Sequence, residues 1–306
     1  MNSFVAMSDI LRLDNVNDYA GDIGAPVYHP HVSVIHYDEM GQIRHTLNRF
    51  GVYAIFMQDN FPDGIVYGAG TYDVSCGSLT AVSPGQILGK EDDGTKAQYR
   101  GWVLMFDADF IRGTELGRNL SKYHFFSYNT NEALILAAKE RETLGSIMKN
   151  IRSELSGGRE QEYTDKIVLD YIQLVLDYCS RFYSRQFRNQ VYVSSDIMSR
   201  FGEVLGRYYE DGKQYVFGIP SVKYCAGELN MSPGYFGDVV RNVSGESPIL
   251  YIKDFIVERA KDLLSGGMTV TQVSDELGYE YPQHFTRVFK KQTGMLPSKY
   301  LEKKNR

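Results

Sequence analysis

The strongest constraint on this chain is a duplication near its end. One segment, from Ser221, reads SVKYCAGELNMSPGYFGDVVRNVSGESPILYI, and a second, from Glu258 to Tyr300, reads ERAKDLLSGGMTVTQVSDELGYEYPQHFTRVFKKQTGMLPSKY. GYF…VV…SGESPILYI parallels QHF…VF…TGMLPSKYL at a spacing of about fifty residues, the mark of a repeated supersecondary unit. In the later copy Thr269 is an N-cap, and Val270, Val273 and Leu277 follow at helical spacing. Gly278 stands where a helix end needs a left-handed residue, and Pro282 suits the first turn of a new helix. Phe285, Val288 and Phe289 give that helix a buried face, with Thr286, Arg287, Lys290 and Lys291 on its other side. In the earlier copy Val222, Ala226 and Leu229 form an apolar stripe. Asn230-Met231-Ser232 makes the turn, Ser232 and Pro233 open the next helix, and Tyr235, Phe236, Val239 and Val240 bury it. Each copy is a helix-turn-helix, a layout whose second helix enters the major groove of DNA. Between the copies Ile252, Phe255, Ile256, Ala260 and Leu263 share one side of a long helix. A rigid helix there places the two recognition helices in successive groove segments about 34 Å apart.

The formal charge of −5 argues against a polyanionic partner until it is divided. Residues 196–306 carry 15 Lys and Arg against 14 Asp and Glu, a net +1; residues 1–195 carry 18 against 24, a net −6. From Arg287 to Arg306 seven basic residues face one acidic residue, Glu302. Local charge governs phosphate attraction, because salt screens the remainder.

The first part of the chain reads differently. VSVIHY (32–37), GVYAIFMQ (51–58), GIVYG (64–68) and WVLMFD (102–107) are short β-branched and aromatic runs separated by Gly, Asp, Asn and Pro. That rhythm predicts a β-barrel or jelly-roll sandwich over residues 1–125. Residues 1–25 give weak signals. From Asn131 to Leu155 the apolar residues Ala133, Leu136, Ala137, Leu144, Ile147, Met148, Ile151 and Leu155 predict a helix. From Glu162 to Tyr183, Ile167, Tyr171, Leu174, Tyr178 and Phe182 repeat close to a coiled-coil seam. Residues 126–187 are thus a helical region, either packed on the barrel or forming a dimer interface. Residues 188–196 are polar with little periodicity and read as a linker to a C-terminal domain over 197–306.

Over the last hundred residues or so the chain resembles the AraC/XylS family of bacterial transcription regulators. The resemblance rests on Ala260, Leu263, Leu264, Val270, Val273, Leu277-Gly278-Tyr279, Phe285, Arg287, Phe289-Lys290-Lys291, Gly294, Pro297, Ser298 and Tyr300. In the first copy it rests on Ala226, Leu229, Ser232, Phe236, Val240, Gly245, Pro248 and Ile252. Gly77–Gln86 looks like the cupin-type sensor segment of that family. The resemblance implies an α+β chain: an N-terminal cupin-like β-barrel, a helical dimerisation region and a C-terminal all-α tandem helix-turn-helix domain. It also implies a homodimer in the cytoplasm, double-stranded DNA as partner, a small-molecule effector such as a sugar or related metabolite, and RNA polymerase as a further candidate partner.

Carried over residue by residue, the resemblance puts Pro282, Gln283, Thr286 and Arg287 at the bases, with Lys290 and Lys291 at phosphates. An ion pair within the domain is the alternative role for Arg287. The matching positions of the first copy are Ser232, Pro233, Gly234, Gly237 and Asp238, with Arg241 and Lys223 at the backbone. Two glycines have no reach and Asp238 repels phosphate, so that helix is expected to position more than it reads. Tyr37, Tyr53, Phe56, Tyr67 and Trp102 are candidate effector contacts or plain core.

Other classes find little support. His29, His31 and His36 with Glu39 invite a metal, yet no His falls between His45 and His124, where a second ligand set belongs. Cys76, Cys179 and Cys225 form neither a disulfide framework nor a metal motif. No catalytic fingerprint occurs, so no enzyme and no cofactor is expected. The N-terminus does not read as a signal peptide, and no apolar run of about 18 residues predicts a membrane span.

Overall fold

Two strands of the first part are apolar on both faces, and this decides its layering. In the computed structural model, which describes residues 10–44, 46–59, 77–89, 94–129, 132–157, 161–189 and 191–304, the strands are β1 (Ile10–Leu13), β2 (Val32–His36), β3 (Ile43–Arg44), β4 (Leu47–Phe50), β5 (Tyr53–Gln58), β6 (Ser78–Val82), β7 (Ile87–Gly89), β8 (Lys96–Ala97), β9 (Gly101–Phe106) and β10 (Leu134–Ile135). The helices beside them are α1 (Val16–Ile23), α2 (Ala108–Ile111), α3 (Glu115–Asn119), α4 (Ala138–Ser156) and α5 (Gln161–Asn189). β5 and β9 are central in a five-stranded sheet of order β10-β6-β5-β9-β2, and nearly all their residues are buried. One face meets a core shared with the three-stranded sheet β1-β4-β7 and α1, containing Leu13, Tyr19, Tyr37, Phe50, Phe56 and Val103. α4 packs against β2 and β9.

This part is therefore sheet-rich, as expected, but its described strands form three sheets, the third being β3-β8, and do not close into one barrel. The strand expected at 64–68 lies outside the described residues. The helix expected from Asn131 begins later. Leu134–Ile135 is instead an edge strand on β6. Its outer edge is met by side chains of α5: Gln186 accepts from the Ile135 N–H at 2.8 Å, and Arg185 donates to the Ile135 carbonyl at 2.7 Å. Arg185 also donates to the Glu140 carboxylate at 2.6 Å, and Glu140 accepts the Ala137 N–H at the start of α4. Helical spacing of Ala133, Leu136 and Ala137 was thus a coincidence overridden by partners about fifty residues away.

The chain divides into two compact units, Met1–Gln186 and Phe187–Arg306. Most of the stretch 188–196, read as a linker, lies in helix: α5 runs to Asn189 and α6 (Val191–Glu210) follows. Missing apolar periodicity does not break a helix when Arg and Gln favour one. The second unit continues with α7 (Gln214–Phe217), α8 (Val222–Glu228), α9 (Pro233–Ser244), α10 (Pro248–Ser265), α11 (Val270–Glu276), α12 (Pro282–Thr293) and α13 (Pro297–Lys304). Among the described residues no helix is long and apolar enough to cross a membrane. Cys179 and Cys225 are buried free thiols; Cys76 lies outside the described residues.

His29 is 4% exposed. Its Nδ1 accepts the His31 N–H at 3.1 Å, which leaves Nε2 as the protonated nitrogen of the neutral ring, 3.2 Å from Asp165 on α5. Burial holds this imidazole below its ordinary range, opposed by the Asp165 charge. The native ring then binds a proton less readily than the unfolded one. Its contribution to stability is complete above about pH 6.5, falls as pH drops below that value, and levels off once the native ring also titrates. Urea unfolding between about pH 7.5 and 5 is expected to show this loss, and His29→Gln is expected to flatten it.

Candidate nucleic-acid interface

Both copies of the duplicated unit fold by the same local chemistry. In the first, the Ser221 hydroxyl caps α8 by accepting from the Tyr224 N–H, and in the second Thr269 caps α11 by accepting from Gln272, whose own side chain answers the Thr269 N–H. Each first helix ends in a left-handed residue, Asn230 (φ 57°) or Gly278 (φ 81°). The two closing bonds recur: Met231 N–H to Ala226 O and Asn230 N–H to Gly227 O in one copy, Tyr279 N–H to Ser274 O and Gly278 N–H to Asp275 O in the other. These are the paired bonds of a Schellman turn. Pro233 and Pro282 then open the second helices, and Gly245 and Gly294 close them in the left-handed conformation.

Gly278 is required twice over. A side chain there would meet the Gly218 carbonyl carbon at 2.9 Å and the Gln214 carbonyl oxygen at 3.0 Å, in addition to the cost of its positive φ. The turn is held from α6 as well, where Tyr208 donates to the Gly218 carbonyl at 2.8 Å and Tyr209 to the Leu277 carbonyl at 3.3 Å.

The buried sides of the two modules join one core with α6 and α10, containing Phe201, Leu205, Phe236, Val240, Ile256, Ala260, Phe285 and Phe289. Gln292 of α12 donates its amide to the Asp254 carboxylate of α10, which fixes the rotation of α12 about its axis.

That rotation leaves Gln283, Arg287, Lys290 and Lys291 exposed, with Pro282 and Thr286 half-buried, opposite the buried Phe285 and Phe289. None of Arg287, Lys290 and Lys291 has an ion-pair partner among the described residues. The alternative role of Arg287 in an internal ion pair is absent here. The last turn of α12 carries Lys290 and Lys291, where the helix dipole favours cations.

The first recognition helix differs. Ser232 is buried and its hydroxyl accepts the Tyr235 N–H at 3.2 Å, so it is a cap rather than a surface contact. Pro233 is exposed, while Gly234 and Gly237 offer no side chain. Asp238 and Arg241 pair with each other at 2.9 Å, so the phosphate-repelling carboxylate is partly neutralised by the guanidinium that was to hold the backbone. This pairing was missed in the sequence, although a spacing of three on a helix signals it.

The candidate effector contacts do not form one pocket. Along β5, Tyr53 and Phe56 point to opposite faces because their spacing is odd. Phe56 and Tyr37 lie in the core beneath the three-stranded sheet, where the Tyr37 and Tyr19 hydroxyls share a hydrogen bond of 2.6 Å. Tyr53 stacks on Phe106 and Trp102 stacks on His36 at 4.1 Å; their strands' register places both on the other face. Tyr67 lies outside the described residues. The histidines are likewise dispersed, with His29 on Asp165, His31 on Asp107, and His36 between Asp38 and Glu39. Among the described residues no group of three or more His, Cys, Asp and Glu is placed to hold a metal ion.

Residues 225–303 match the model of a helix-turn-helix domain family. The chain is 36% identical over 87 residues to the HTH-type transcriptional regulator YobQ of Bacillus subtilis, itself uncharacterized, a match covering 28% of this chain and 36% of that one. It is 31% identical over 87 residues to the uncharacterized transcriptional regulatory protein YesN of the same organism, covering 27% and 24%. The match thus spans well under half the length of either relative. A crystal structure of a DNA-binding transcriptional dual regulator from Escherichia coli K-12 is similar at 23% identity, covering 35% of this chain and 90% of that one with a TM-score of 0.30.

Because Gly278 lacks both space and a compatible φ for a side chain, Gly278→Ala is expected to cost about 1–3 kcal/mol. Gly294→Ala, which shares the positive φ but faces open space, is expected to cost less. Denaturant melts of the two variants give the comparison.

Proposed function

We propose that this chain, whose residues 225–303 match a helix-turn-helix domain family, is a DNA-binding transcription regulator of the AraC/XylS type controlled by a small molecule. The observation that carries the reading is the exposed row Gln283, Arg287, Lys290 and Lys291 on α12, without ion pairs among the described residues. Arg287 and Gln283 have the forked donors and acceptors that read guanine and adenine edges. Lys290 and Lys291 serve phosphates. Pro282 sets the start of the helix at the groove and Thr286 lies beside Arg287. From α9, Pro233, Gly234, Gly237, Asp238 and Arg241 line the second contact, with Ser232 capping it.

The proposed organisation is a cupin-like sensing unit over 1–125, a dimerisation region over 126–187, a connection at 188–196 and the reader over 197–306. A polar metabolite, of the sugar type or related, is the proposed effector, and a second copy of the chain the proposed partner. Support for the dimer comes from α5, which buries Val168, Ile172, Val175 and Cys179 but leaves Tyr163, Ile167 and Leu174 64%, 38% and 40% exposed. Phe182 of the expected seam is buried within the unit. The place of action is the cytoplasm, RNA polymerase is a candidate partner, and the activity is binding rather than catalysis.

Arg287→Ala is expected to weaken binding to selected DNA by about 1–3 kcal/mol and to relax base choice at its position. Lys291→Ala is expected to lower affinity evenly across sequences and to reduce the salt slope by about one. Unaltered base preference in the Arg287 variant contradicts the assignment; quantitative binding selections at two salt concentrations decide it. Ile167→Asp with Leu174→Asp is expected to give a monomer at micromolar concentration by sedimentation that keeps its helical circular dichroism, since both sites are exposed.

A further inference from the structure

The outer face of the three-stranded sheet holds a pair of cations that form no ion pair among the described residues. β1 and β4 run parallel, and Arg12 and Arg49 are partners in register. Register partners point to the same face, and neighbouring strands lie about 4.8 Å apart. The next pair, Leu13 and Phe50, is buried, so both arginines stand on the solvent face, and both are exposed. Like charges placed opposite one another destabilise a sheet. Neither guanidinium has an ion-pair or hydrogen-bond partner among the described residues.

The same two side chains line a cavity of about 240 Å³ with Asp14, Phe50, Gly51 and Gly85. Gly51 lets the backbones at this edge approach closely: a Cβ there would come within 3.1 Å of the Leu13 carbonyl oxygen and the Asp14 Cα. We propose that this cavity binds a small hydroxylated anion whose carboxylate or phosphoryl group sits between Arg12 and Arg49. Guanidinium forks match either group in geometry and charge. Asp14 sets the remainder of the specificity, because its carboxylate accepts from a hydroxyl and repels a second anionic group. The ligand class is therefore a singly headed polyol anion, a sugar acid or a sugar phosphate.

The site deepens the proposed effector control and rests on that reading for its consequence at DNA. Anion binding itself is measured without DNA, so the two fail separately. The test titrates the full chain with D-gluconate, glucose-6-phosphate, inorganic phosphate and glucose at constant ionic strength, with chloride as control, by calorimetry and thermal melting. Saturable binding of gluconate or glucose-6-phosphate is expected, with glucose and chloride inert; which of the two binds tells carboxylate from phosphoryl recognition. Arg12→Gln and Arg49→Gln are each expected to weaken that binding about tenfold or more. Without ligand, Arg49→Gln is expected to melt at or above the wild type, since it removes a repulsion. No saturable binding of either hydroxylated anion, binding that survives in the double variant, or an equal response to chloride overturns the site. A ligand-free Arg49→Gln chain that melts well below the wild type overturns the repulsion from which it is argued.

Discussion

The second unit depends on one continuous core along α10. Ile252, Ile256, Val257, Ala260 and Leu264 of that helix are buried in the same cluster as Phe236 and Val240 of one module and Phe285 and Phe289 of the other. Each fully buried side chain of this size contributes about 1.5–3 kcal/mol, so the separation of the two modules is set by many small terms rather than by one bond. A helix of 18 residues rises about 27 Å, a span comparable to one turn of DNA. Loosening one module therefore disturbs the frame of the other.

Equal backbones carry unequal surfaces. The hydroxyl clamps at the ends of α9 and α12 repeat: Ser244 donates to Val240 O and accepts from Glu246 N–H, while Thr293 donates to Phe289 O and accepts from Met295 N–H. The exposed residues diverge most. α12 presents Gln, Arg and two Lys, whereas α9 presents glycines and an Asp238–Arg241 pair that satisfies itself. Under the proposed DNA reading, a rigid frame would let the weaker module supply registration and the stronger one discrimination.

What could be read from the sequence was what local chemistry decides. Gly278, Pro233, Pro282, Gly245 and Gly294 announce their turns and helix starts by residue type, and the α12 surface follows from helical periodicity around Phe285 and Phe289. What could not be read depends on distant partners. β1 has too short a signal to reveal its parallel pairing with β4, and so Arg12 and Arg49 did not stand out. Leu134–Ile135 is extended because Arg185 and Gln186 meet it from α5. The aromatic candidates failed to converge because the parity of a strand, not its composition, decides which face a side chain takes: Phe56 faces one core, and Tyr53 and Trp102 the other side.

The central claim is a rigid tandem reader whose second module carries the greater share of base readout. Hydroxyl-radical footprinting combined with base-methylation interference, on DNA selected by the full chain, tests it most directly. The account predicts two protected segments on one face of the duplex, about 10 base pairs apart. It also predicts that interference at guanines concentrates in the segment facing α12. A single protected segment, two on opposite faces, or interference concentrated at the segment facing α9 would contradict it.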